Sequence, residues 1–428
     1  MRKIAVAFIV FWLAVSTAYA DYDAGVKALK DKDFVTALND LKPLAEQGAS
    51  NAQEALGTMY AAGMGVPQDF GVAFTWFNLA AEQNDATAQA NLGTLYYRGL
   101  GVAQDDAKAL KWISRSAEQG NALGQFNLGF AYLEGKIVPR NDKEALRLLR
   151  LAADQGYVDA AAALGLAYHQ GRGAEQDDKE SVKWLRMAAI KGEVHSQMEL
   201  GAAYLQGRDG VPRNYEESFR WYRTVADTGN ALAQAQVGIM YDNGTGVIRD
   251  SSEALKWFRL AANQGQVDAE LGLGLLYLNG RGVPQDDKEG AKWLRLAAEQ
   301  GSAVAQSNLG VVYLRNRNVP LNYQEALKWI RMSSDNGDAG AQRNLGNFYE
   351  TGTAVPQSRV AANALYNVSI VNDSTDGNRN AVIFRTALIK TMRLDELKSA
   401  QDLTAEMSKP GNLLKALDQY MKASTVAQ

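Results

Sequence analysis

Two histidines, His169 and His195, are the only imidazoles in the 428-residue chain, and cysteine is absent. A zinc site needs several His, Cys or carboxylate ligands at close spacing. These two lie 26 residues apart with no further ligand clustered beside either. His169 directly follows Tyr168, and His195 precedes Ser196-Gln197 at a helix start and reads as a surface residue. Paired carboxylates offer a second chemistry. Asp105-Asp106, Asp177-Asp178 and Asp286-Asp287 contain the residue types of a glycosidase acid–base couple. Such pairs recur, however, at a fixed interval, each directly before a helical stretch, which is where helix N-caps stand. Gly-x-Gly segments such as Gly99-Leu100-Gly101 follow helical residues, not a strand, so a dinucleotide-binding reading fails its context test. No Gly-x-Ser-x-Gly elbow and no Walker-type loop is present. The sequence therefore points to no catalytic residue, no cofactor and no metal.

The elements that carry these residues are repeats. Nine Gly-x-x-Tyr segments, from Gly57/Tyr60 to Gly346/Tyr349, follow one another at 36 residues, with a single step of 37 between Gly201 and Gly238. The extra residue falls in Gly207-Arg208-Asp209-Gly210 and so marks a loop, because loops absorb insertions and helices do not. Trp76, Trp112, Trp184, Trp221, Trp257, Trp293 and Trp329 keep the same register, with Leu148 and Leu365 in the two remaining places. A small residue stands three positions before each, and a small pair such as Ala152-Ala153 or Ala297-Ala298 follows. Positions i, i+3, i+7 and i+8 share a helix face, so the second half of each repeat is a helix with one large aromatic among small neighbours. In the first half, Ala88, Leu92 and Tyr96 stand four apart and also share a face. The glycine inside that helix costs about 1 kcal/mol relative to alanine, and its presence in all nine repeats implies close approach of a neighbouring helix.

Loop glycines such as Gly63, Gly65, Gly99 and Gly101 supply the positive φ that stops the first helix. Repeat eight has Asn316 and Asn318 there, and asparagine is expected to take the same conformation. The second helix opens with capping boxes, Asn141/Glu144, Asp177/Glu180, Asn214/Glu217, Asp250/Glu253, Asp286/Glu289 and Asn322/Glu325. Each unit is thus an antiparallel helix pair, which must stack on its neighbours to bury both faces.

At the start, Arg2 and Lys3 precede the apolar run Ile4 to Val15, and Ala18-Tyr19-Ala20 gives a small-x-small cleavage pattern. This reads as a secretory signal peptide over 1–20, giving a periplasmic or secreted protein with no membrane insertion after cleavage. Removing those residues, which hold two basic side chains and no acid, moves the formal charge from −3 to −5. Mild acidity with both signs interspersed argues against a nucleic-acid partner. Residues 21–51 form a shortened opening helical pair, 52–372 the nine repeats, and 373–428 a helical capping segment broken at Pro410-Gly411.

The pattern Ala-Gln-x-x-Leu-Gly-x-x-Tyr-x-x-Gly-x-Gly-Val, followed by Asp-x-x-x-Ala-x-x-Trp-x-x-x-Ala-Ala, resembles the Sel1-like repeat family, a branch of the tetratricopeptide-like solenoids. The resemblance covers about three quarters of the chain. It implies an all-α, right-handed α/α superhelical solenoid serving as a protein-interaction scaffold, an adaptor or regulator in the cell envelope or a binder of host proteins. A cysteine-rich subgroup similar to β-lactam-binding members is departed from here, since there is no cysteine. In such stacks the first helix lines the concave groove, which nominates Phe126, Phe130, Leu133, His169, Leu205, Leu275, Leu278, Val311 and Leu314 as an apolar strip for a protein or peptide ligand. Packing between adjacent first helices would demand the same residues, and both readings stand. The alternative function is binding or processing of cell-wall glycan or peptidoglycan, for which the abundant tyrosines leave room.

Overall fold

Repeating aromatic and small residues on two helices per 36 residues leave each helix pair with apolar faces that only a neighbouring pair can cover. The computed structural model describes residues 22–315, 317–373 and 379–426. The expected signal peptide at 1–20 lies outside them, as does Asn316. Two compact units divide the chain, Met1–Arg213 and Asn214–Gln428. In the first, a helix over 22–30 and Phe34–Glu46 precede four pairs: Ser50–Ala62 with Phe70–Glu82, Ala86–Arg98 with Asp106–Glu118, Ala122–Glu134 with Asp142–Asp154, and Val158–Gln170 with Asp178–Ile190. Val194–Gln206 closes that unit. The second opens with Tyr215–Ala226 and continues with Ala231–Asn243 and Ser251–Ala262, Val267–Asn279 and Asp287–Glu299, Ala303–Arg315 and Tyr323–Asp335, and Ala339–Thr351 and Arg359–Asn372. Three further helices, Arg379–Ile389, Leu394–Met407 and Leu413–Val426, end it. Among the described residues the architecture is all-α, with one isolated bridge between Arg208 and Val211. That bridge closes the loop carrying the extra residue of the 37-residue step.

Within each pair the glycine of the first helix is where the second helix comes closest. A Cβ on Gly165 would lie 2.5 Å from Leu185 Cγ, so alanine there would overlap the side chain that follows Trp184. At the loop, Gly101 has φ of 68°, and a Cβ on it would lie 2.2 Å from the backbone carbonyl of Phe70 in the preceding repeat. One loop glycine therefore turns the chain and seats the repeat on its neighbour. Asn318 does not copy this. Among the described non-glycine residues only Lys32, Asn84 and Ala354 have positive φ; the Asn318 amide instead donates to Asp286 Oδ1 at 2.9 Å.

The capping boxes form by half. Asn141 accepts from the Glu144 N–H at 3.1 Å and Asp177 from the Glu180 N–H at 3.0 Å. The return bond from the glutamate is replaced: the backbone N–H of Asn141 donates to the Tyr132 carbonyl and that of Asp177 to the Tyr168 carbonyl, both at 3.0 Å. This tie joins the second helix to the repeat tyrosine and frees the glutamates. Glu144 then receives Arg147 at 2.7 Å, and Glu180 receives Lys183 at 3.1 Å and the Trp184 indole N–H at 2.9 Å.

Between repeats, Trp184 packs among Leu146, Leu149 and Ala152 of the preceding repeat and Ala160 and Leu164 of its own. Burying one such side chain stabilises by about 2–3 kcal/mol. Trp112, Trp257 and Trp329 are likewise buried, while Trp76, Trp221 and Trp293 are half-buried. Polar ties run beside this packing. Arg150 donates to the Tyr168 hydroxyl of the next repeat at 2.6 Å and lies 5.7 Å from the Trp184 ring centre. Arg259 makes the same bond to Tyr277, again 2.6 Å. At the end of the chain, Leu403, Met407, Leu413 and Leu417 join Leu365 and Tyr366 in one cluster, and Arg331 holds Asp418 through two bonds of 2.7 Å.

Candidate partner-binding site

The nine nominated groove residues fall into three groups. Phe130 is 43% exposed and is the one large aromatic of the set presented to solvent. Leu278 is 3% exposed and belongs to the core, which corrects its nomination. Its side chain fills the space above Gly290, where a Cβ would come within 2.9 Å of Leu278 Cδ2; every other repeat carries alanine or serine at that column. Phe126, Leu133, His169, Leu205, Leu275, Val311 and Leu314 are half-buried. Leu133 is packed beside the Trp184 cluster, and Leu314 beside the cluster of the last repeats. His169 is engaged through Nδ1, 2.6 Å from Oδ1 of the buried Asp178, so its ring closes the loop of repeat four.

In the first unit the structure brings two of the nominated residues together. Phe126 and Phe130 stack with ring centres 6.1 Å apart, and Phe126 also meets Tyr157 at 5.1 Å. With Tyr97, Ile113 and Ile137 they line a pocket of about 170 Å³ between the first helices of repeats two and three. Its polar rim is structured. Asn127 donates to Thr94 Oγ1 at 3.1 Å, and the Tyr97 hydroxyl donates to Glu134, which also receives Lys136 at 3.2 Å. The Tyr97 hydrogen bond holds the Glu134 carboxyl below the usual carboxylate range, and the same bond raises the Tyr97 phenol. Among the described residues no group of three or more His, Asp or Glu could hold a metal ion. No helix of those residues is long and apolar enough to cross a membrane.

Sequence reasoning missed a second set of residues. Gln89, buried, donates to the Ala81 carbonyl at 3.2 Å and accepts from Gln119 at 2.7 Å. The same amide contact recurs as Gln83–Gln53, Gln155–Gln125 and Gln264–Gln234, at 2.8, 2.8 and 2.9 Å. The signal was present in the recurring Ala-Gln and Glu-Gln-Gly columns, whose constant separation of 30 residues is the spacing of the bond. These residues tie each repeat to the one before it, Gln89 through the Ala81 carbonyl and Gln155 through the Gly120 carbonyl.

Helix pairs stacked through fixed polar and aromatic ties, with first-helix side chains left at the surface, define a helical-repeat scaffold. The chain belongs to the Sel1 repeat family: the family's model, described as Sel1 repeat, matches nine consecutive segments from residues 50–85 to 339–368. It is similar to the crystal structure of a protective antigen present in uropathogenic Escherichia coli strains that displays an SLR fold, at 30% identity and a TM-score of 0.61, covering 95% of this chain and 94% of that one. It is also similar to a Sel1 repeat protein from Oxalobacter formigenes, at 30% identity and a TM-score of 0.58, covering 72% of this chain and 88% of that one. No curated protein matches the chain.

Proposed function

We propose that this Sel1 repeat chain is an exported scaffold that works by binding another protein, in the cell envelope or on a host, through the first-helix face of its repeats. The observation that carries the reading is the Phe126–Phe130 stack beside an open pocket, an apolar cluster with Phe130 43% exposed that supports contact with a partner. Export is supported by the basic start, apolar run and Ala18-Tyr19-Ala20. Similarity along nearly its whole length to a protective antigen supports a location outside the cytoplasm. Of the carboxylate pairs that raised an acid–base possibility, Asp177-Asp178 serves as a helix cap and a loop tie, which favours the binding reading.

The test is affinity capture with the full chain and with Phe130→Asp, from envelope extract and from host-cell extract. The reading expects at least one protein retained by the wild type and lost from the variant. Retention of glycan and of no protein would overturn it in favour of cell-wall polymer binding.

A further inference from the structure

We propose that the pocket between the first helices of repeats two and three is a subsite for an apolar side chain flanked by a carboxylate, carried on the polypeptide of a protein partner. This deepens, and rests on, the protein-binding reading above.

Three of the columns at which repeat three departs from its neighbours line the same pocket. Where Phe126 stands, repeats two and four have Ala90 and Ala162; where Phe130 stands, they have Thr94 and Leu166. Where Ile137 stands, they have the loop glycines Gly101 and Gly173. The neighbouring repeats stack with smaller groups at most of these positions, so packing alone does not call for two phenylalanines and an isoleucine. Ile137 also lacks the positive φ that those glycines adopt, which gives this loop a different course and turns an apolar side chain to the pocket wall. A space of about 150 Å³ is enough to take benzene, and this one is about 170 Å³. One Phe, Leu or Met side chain is the matching occupant.

The rim decides the charge beside that anchor. Glu134 is already committed to Tyr97 and Lys136. Arg98 lines the same pocket, and among the described residues it has no hydrogen bond and no ion pair. Its guanidinium is therefore the uncompensated charge at the mouth, and a carboxylate next to the anchor is the complementary group.

The probe is the blocked peptide acetyl-Ser-Glu-Phe-Glu-Ser-amide, titrated against the full chain by calorimetry beside its Glu-Ala-Glu and Gln-Phe-Gln counterparts. The Glu-Phe-Glu peptide is expected to bind, with the alanine peptide at least tenfold weaker and the glutamine peptide several-fold weaker. Phe130→Asp should cost at least tenfold, and Arg98→Gln should erase the preference for Glu over Gln. Ile137→Gly, which restores the residue of the flanking repeats, should weaken binding while the helical circular dichroism and melting stay unchanged. Absence of binding, equal binding of the alanine peptide, or indifference to Phe130→Asp and Arg98→Gln would overturn the proposal. Should capture of a protein still depend on Phe130 in that event, the scaffold reading survives and the subsite alone fails.

Discussion

The side-chain amide of Gln119 donates to the side-chain carbonyl of Gln89 at 2.7 Å, across 30 residues and from one repeat's second-helix end to its first helix. Gln89 itself reaches back to the Ala81 carbonyl of the preceding repeat. A buried amide thus ties three successive helices, adding a bond to the Ala81 carbonyl, which also accepts the Asn84 N–H, and one to the Gln119 amide. Gln89→Leu is expected to lower stability by about 1–3 kcal/mol, from the loss of two intramolecular hydrogen bonds at about 0.5–1.5 kcal/mol each. A urea midpoint equal to or above the wild type would contradict this.

Helix glycines should differ in what alanine does to them. At Gly165 the added Cβ would sit 2.5 Å from Leu185 Cγ, whereas at Gly129 the nearest atom, Leu149 Cγ, is 3.1 Å away. Alanine gains about 1 kcal/mol of helix propensity at either site, and overpacking costs about 1–3 kcal/mol where the neighbour cannot yield. Gly165→Ala should therefore lower the melting temperature clearly, with Gly129→Ala close to wild type. Equal shifts would show that close approach is not what selects the glycine.

Glu270 occupies the column that holds Gln89 and Gln234 elsewhere and is 3% exposed. Burial raises its carboxyl above the ordinary range, with the Gln300 hydrogen bond acting in the opposite direction. A raised folded-state value means that the folded chain holds this proton more tightly than the unfolded chain. The ionised form therefore costs stability above the folded value, and the cost disappears below the unfolded value of about 4.3. Glu270→Gln should stabilise by about 1 kcal/mol at pH 7, and the gain should fade on acidification to about pH 4. A gain that is constant over this range, or a loss at pH 7, would refute the account.

Export predicts a mature chain that begins at Asp21. Intact mass of the protein recovered from the periplasm or medium should lack residues 1–20. Recovery with Met1 retained, in the cytoplasmic fraction, would contradict the export reading.

Much of this architecture could be read from the residues themselves, because a constant period turns weak local signals into nine coincident ones. The tryptophan column, buried in four repeats and half-buried in three, the glycine under Leu185 and the loop at Asp209-Gly210 all follow from register. What escaped is what depends on a partner far along the chain. Gln89 and Gln119, or Arg150 and Tyr168, carry no helical periodicity between them; the first bond exists only once a repeat's two helices pair, the second only once repeats are stacked. The capping boxes closed by half because the Tyr132 and Tyr168 carbonyls reached the N-cap N–H groups first. Leu278 and Phe130 were nominated alike from their columns, yet Gly290 opens a core space for Leu278 while Phe130 remains in solvent. A position on a helix face tells where a side chain points, and the residue opposite decides whether it is covered.

The central claim is that the first-helix face is where a protein partner sits. Photo-crosslinking tests it most directly, with benzoylphenylalanine placed at Phe130 and, separately, at Leu151, a 39% exposed position on the second helix of the same repeat. The account predicts a discrete protein adduct from position 130 that is absent from position 151. Adducts from Leu151 alone, or none from either site in both envelope and host extracts, would contradict it.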